Sequence, residues 1–174
     1  MSNNIFTGGV FPNKIFNKEF DYYISIEFEV FFKNEFEEAF EKFFFENQIK
    51  NMNFSSLDKN HSFNFILSNK DVRSVYLSFL KNTIVPEALP QEHNYYTLLT
   101  DFVLFNEIHH FAFYANRHYD IGILAYNQPL KIDMFKEIAL EIPMKKYFEE
   151  LQFKSTYYNK ILKQFENKEN YLLK

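Results

Sequence analysis

The chain has 174 residues, 47% of them hydrophobic and 21% aromatic. That apolar mass can build a core without disulfides or metal, and it excludes disorder throughout. With no cysteine, disulfides, thiolate metal sites and cysteine nucleophiles are excluded as well. The net charge of −4 argues against a general nucleic-acid binder, which needs a basic footprint.

No linker-like stretch interrupts the sequence, so residues 1–174 read as a single globular domain. The N-terminal residues, through Phe16, carry no charged stretch followed by an apolar run, so no secretory signal is read. The longest apolar runs fall well short of a membrane span. The expected location is cytoplasmic, with no membrane contact. Seventeen Lys against 2 Arg, with 19 Asn, has the look of an AT-rich coding bias, so part of this composition is genomic rather than functional.

The first clear pattern runs from Tyr22 to Lys33. Ile24, Ile26, Phe28, Val30 and Phe32 alternate with Ser25, Glu27, Glu29 and Lys33, which predicts a half-buried strand. Phe31 breaks the polar side. A helix is expected near 34–47: Asn34 and Glu37 have capping-box spacing, and Phe36, Phe40, Phe43 and Phe44 form an apolar stripe. Residues 47–62 are polar and read as a loop. Phe63 to Leu67 is a short strand candidate. A second amphipathic helix is expected near 69–82, followed by a loop at 86–93.

Phe102 to Phe105 reads as a strand. Ile108 to Ala115 and Tyr119 to Tyr126 read as a hairpin. A three-residue loop, Asn116 to His118, would pair Ala115 with Tyr119 and Phe113 with Ile121, since that register gathers the most apolar residues on one face. Residues 130–142 fit either a short strand or a helix starting at Asp133. An apolar stripe from Tyr147 to Phe165 predicts a helix near 144–169. The expected class is α+β: an antiparallel sheet with a hairpin near 108–126, packed by amphipathic helices near 34–47, 69–82 and 144–169.

Catalytic signatures are absent. With glycine only at Gly8, Gly9 and Gly122, no phosphate loop or dinucleotide fingerprint can be written. The histidines are His61, His93, His109, His110 and His118. Glu107, His109 and His110, with His118 and Asp120 across the hairpin, would have to converge to hold a metal. The hairpin register sends His109 and His110 to opposite faces, so no metal, cofactor or catalytic residue is assigned. Asp101, Glu107 and Asp120 could serve as acid–base groups, but their spacing does not set them apart from surface carboxylates. A small metal-binding or hydrolytic enzyme using the His109/His110 region, or an adaptor subunit of a larger assembly, remains an alternative class.

Interaction chemistry is more prominent. Residues 19–46 hold nine acidic residues against Lys33 and Lys42, whereas residues 144–174 hold seven Lys against four Glu. The acidic stretch is either a solvated face or a surface that steers a basic partner. Tyr22, Tyr23, Tyr95, Tyr96, Tyr114, Tyr119, Tyr126, Tyr157 and Tyr158 are core residues or interface anchors.

The stretch from Asn94 to Tyr126, NYYTLLTDFVLFNEIHHFAFYANRHYDIGILAY, covers about a fifth of the chain. It resembles the strand meander of small bacterial immunity proteins, the antitoxins of contact-dependent inhibition and related polymorphic toxin systems. The resemblance implies a non-enzymatic cytoplasmic protein, monomeric or homodimeric, that binds a cognate toxin domain and blocks its active site. Many such toxins are nucleases with basic clefts, so the expected contact surface is acidic. The alternation and helical periodicity place Glu27, Glu29, Glu37, Glu38 and Glu41 outward, and these are the candidate partner-binding residues.

Overall fold

The computed structural model describes residues 5–7, 15–17, 20–57, 64–68, 100–106, 108, 110–127, 129–141 and 144–150. The expected helix near 69–82, the loop at 86–93 and residues 151–169 of the expected last helix lie outside these. Among the described residues, six strands form one antiparallel sheet: β1 Tyr22–Glu27, β2 Asn51–Ser56, β3 Asn64–Ser68, β4 Asp101–Asn106, β5 Phe111–Asn116 and β6 Ile121–Tyr126. Their order is β1-β6-β5-β4-β2-β3. The described helices are α1, Asn34–Glu46, and α2, Met144–Glu150, with 3₁₀ turns at Phe28–Phe32 and Asp133–Phe135. The fold is α+β.

The first strand is shorter than expected. It ends at Glu27, and the chain turns into the 3₁₀ segment. In a 3₁₀ turn, residues three apart eclipse. Phe28 and Phe31 therefore both enter the core while Glu29 stays exposed. Phe31, the residue that interrupts the alternation, marks the change of period. Helix α1 forms where its phenylalanine stripe predicts, and Phe36, Phe40, Phe43 and Phe44 are buried. Its first turn differs from expectation. Lys33 occupies the N-cap with extended backbone and makes no side-chain cap bond, so the helix begins at Asn34, the residue expected to be its cap.

The expected loop at 47–62 contains β2. Met52 and Phe54 are fully buried between the more exposed Asn51, Asn53 and Ser55, a short alternation hidden in a polar segment. The hairpin is also corrected. Asn116 pairs with Ile121, Ala115 with Gly122 and Phe113 with Leu124, leaving a four-residue loop at 117–120. This register lies three residues from the expected one. An odd slip exchanges every side chain between faces, so Phe111, Phe113 and Ala115 share a face with Leu124 and Tyr126.

Polarity could not choose the register because the sheet is buried on both sides. On one face α1 and the two 3₁₀ turns cover Ile24, Ile26, Phe54, Phe102, Leu104 and the β5–β6 residues just named. On the other, Ile5, Phe6, Ile15, Phe16 and Phe20 cover Tyr23, Val103, Tyr114, Ile121 and Ile123. Phe6 and Phe16 form a β-bridge, and Asn17 Nδ2 donates to the Phe6 carbonyl at 2.8 Å. Of the tyrosines expected at interfaces, Tyr23, Tyr114, Tyr119 and Tyr126 are buried; Tyr22 is half-buried and stacks on Tyr126 at 5.5 Å.

The loop's own chemistry sets the hairpin. The Asn116 Oδ1 accepts from the Tyr119 N–H at 2.8 Å, as a helix cap would. Asp120 closes the turn with φ of 50°, a left-handed position that Asp tolerates better than most residues. Among the described residues, no helix is long and apolar enough to cross a membrane.

Candidate acidic cleft

The segment after β6 shapes the site. The Asn47 side chain clamps it to the end of α1. Its Nδ2 donates to the Lys131 carbonyl at 2.8 Å, and its Oδ1 accepts from the Lys131 N–H at 2.8 Å. Phe135 then inserts among the rings of Phe36, Phe43 and Phe113. Farther on, the Leu140 N–H donates to the Ser25 carbonyl on β1 at 2.8 Å.

Between this segment and the β1–α1 connection lies a cleft of about 680 Å³. Val30, Ile138, Ala139, Leu140 and Tyr147 supply apolar lining. Glu27, Glu35, Glu137, Glu141 and Glu150 supply carboxylates, with Lys33 as a cation among them. A smaller cleft of about 370 Å³ adjoins it, sharing Glu35, Glu137 and Ile138 and adding Glu38, Asp133, Lys42 and Lys136. Seven carboxylates therefore face three lysines along one continuous surface. Lys136 is held by Asp133 at 2.7 Å, and that bond lowers the Asp133 carboxyl below its ordinary range. Lys42 faces Glu46 at 3.8 Å.

The five candidate carboxylates divide over this surface. Glu27 lines the larger cleft and Glu38 the smaller. Glu29 is exposed beside Asp120, while Glu37 and Glu41 lie elsewhere on α1 and line neither cleft. Sequence reasoning missed Glu35, although it belongs to the same acidic run. It also missed Asp133, Glu137, Glu141 and Glu150, which have no local signal because only folding brings them to α1.

One cleft wall is anchored through Asp120. The Tyr147 hydroxyl donates to the Asp120 carbonyl at 2.8 Å and lies 3.3 Å from its carboxylate. The Phe28 N–H donates to the same carbonyl at 3.2 Å. Burial raises the Asp120 carboxyl above its ordinary value, opposed by the Tyr147 hydrogen bond and reinforced by Glu29. Burial also raises the Tyr147 hydroxyl, with the Asp120 and Glu27 charges adding to it.

Because the folded state favours protonated Asp120, this group's contribution to stability is full below the ordinary value of 3.8. It falls as pH rises from there through the higher folded value. Asp120→Asn keeps an acceptor oxygen and tolerates the left-handed backbone. It should leave stability near neutral pH unchanged or slightly raised, and remove that fall. Asp120→Ala should lose about 1–2 kcal/mol near pH 4, from the positive φ and the lost carboxylate bonds, and less near neutral pH, because it too lacks the titrating group. Urea melts of both variants between about pH 4 and 7 check this; an unaltered pH slope in the Asn variant would refute the assignment.

The two described histidines, His110 and His118, do not converge. The expected strand placement of His110 is corrected, since it lies in the β4–β5 turn with φ of 53°; His109 and Glu107 lie outside the described residues. His118 sits in the turn at the other end of β5. A six-residue strand separates the two, roughly 20 Å at the usual rise, too far to share a metal. Among the described residues, no three His, Asp or Glu group to hold a metal ion. Asp101 accepts from the Tyr114 hydroxyl at 2.8 Å and from Asn116 Nδ2, a bond set that ties β4 to β5.

No protein-family model, curated protein or solved structure matches this chain.

Proposed function

We propose that this chain is an immunity-type binding protein that neutralises a basic toxin domain by covering its active site. The observation that carries the reading is the continuous acidic surface of Glu27, Glu35, Glu38, Asp133, Glu137, Glu141 and Glu150 around an apolar floor. An apolar centre ringed by charge is the anatomy of a protein interface: the centre holds the partner and the rim steers it. A nuclease toxin presents a basic groove shaped for phosphate, and carboxylates set on folded elements occupy such a groove by mimicry. The resemblance of residues 94–126 to immunity-protein meanders agrees with this reading. That stretch includes β4, β5 and β6, so it would serve as the scaffold and not as the contact surface.

The experiment is co-expression with toxin domains encoded beside this gene. Expected are restored growth and a one-to-one complex with one of them. Failure to protect against, or to bind, any neighbouring toxin domain would refute the proposal. Reversing Glu27, Glu35 and Glu38 together to lysine should weaken such a complex about a hundredfold at low salt, mainly through slower association. The loss should shrink as salt rises. Unchanged affinity would move the contact to another face.

A further inference from the structure

Resting on that reading, we infer that the larger cleft receives an arginine-bearing apolar segment of the partner, with the guanidinium held between its two acidic walls.

Three features argue for this occupant. The cleft's volume of about 680 Å³ lies in the range that encloses a drug-sized ligand, hence two or three residues of peptide. Its lining is divided. Val30, Ile138, Ala139 and Leu140 form a surface that fits aliphatic side chains and the methylene stem of a long cation. The carboxylates come from separate stretches of chain. Glu27 and Glu35 stand on the β1–α1 side, and Glu137 and Glu141 on the segment that follows the Asp133–Phe135 turn.

A planar guanidinium has five donors in a fixed fork and can bond carboxylates on two sides at once. A lysine ammonium is a compact, more strongly hydrated point charge. Lys33 tempers the negative field on the β1–α1 side and Lys146 faces Glu150 at 3.8 Å, so Glu137 and Glu141 are the carboxylates expected to hold the cation most strongly. Tyr147 is buried and its hydroxyl is engaged with Asp120, so it offers the segment apolar surface and not a donor.

The test uses three blocked tetrapeptides as probes: Leu-Arg-Leu-Arg, Leu-Lys-Leu-Lys and Leu-Gln-Leu-Gln. Each is titrated into the full chain at low salt, and the methyl signals of Val30 and Ile138 are followed by NMR. The arginine peptide should shift those methyls and bind about tenfold more tightly than the lysine peptide. The glutamine peptide should not saturate. The triple variant Glu137→Gln/Glu141→Gln/Glu150→Gln should weaken arginine-peptide binding at least about tenfold while leaving the denaturation midpoint in place.

Equal binding of the three peptides would overturn the inference. So would shifts centred on Glu38 and Glu41 of α1, or no shift at about 5 mM peptide. If the chain still protects against a toxin in any of those cases, the immunity reading stands and only its contact site is wrong. If the peptide binds as expected but no toxin is neutralised, the cleft stands and the immunity reading falls.

Discussion

Gly122→Ala should destabilise the protein by about 3 kcal/mol or more, a large share of a typical domain's stability. Gly122 lies in β6, on the face covered by the Phe28–Phe32 turn. A Cβ there would overlap the ring of Phe31, with Cζ at 2.5 Å. The ring cannot simply step aside, since Phe31 is fully buried and wedged against Phe36 at 4.5 Å, Phe102 at 5.6 Å and Phe113 at 6.0 Å. Glycine in a strand normally weakens it; here it permits the close approach that lets the 3₁₀ turn pack on the sheet. Urea denaturation gives the loss directly. The double variant Gly122→Ala/Phe31→Ala should be less damaged than the two single losses predict, because the added methyl falls into space vacated by the ring. Strict additivity would mean that the clash is not the cause.

That contact also shows where the sequence is legible. Helix α1 could be read because its phenylalanines lie on one side and its carboxylates on the other, so periodicity had two outcomes to separate. β4 and the existence of the β5–β6 hairpin were legible as apolar runs of strand length. The hairpin register was not: with both faces of β5 and β6 buried, a residue's polarity no longer reports its face. The deciding signals were the turn residues, Asn116 to cap and Asp120 to take the left-handed position. β2 was hidden because only Met52 and Phe54 carry its alternation. In the cleft, Glu27 and Glu38 came from the acidic run, but Glu137 and Glu141 approach them only because the Asn47–Lys131 clamp, the Phe135 ring and the Leu140–Ser25 bond hold their segment in place. Long-range placement of that kind has no local pattern to read.

Phe113→Ala should cost about 3–5 kcal/mol, through lost burial and the cavity left behind. Phe113 is fully buried at the centre of β5. Its ring meets Phe31, Phe36, Phe40 and Phe135 edge-on, at centroid distances of 5.5 to 6.0 Å. These are the favourable geometries for aromatic pairs, and together they join the sheet, the 3₁₀ turn, α1 and the Asp133–Phe135 turn at one point. Phe113→Leu keeps most of the volume and should lose much less. Phe45→Ala supplies the contrast: Phe45 is 79% exposed on α1, and its removal should change stability by less than about 0.5 kcal/mol. If Phe113→Ala and Phe45→Ala had equal effects, the aromatic cluster would not be the core. If the expected gap is found, the consequence reaches the acidic surface, because the same cluster holds α1 with Glu35 and Glu38 against the segment carrying Asp133 and Glu137. The cleft's charge is then only as well placed as the phenylalanines beneath it, and core variants that still fold should weaken partner binding without altering a single surface residue.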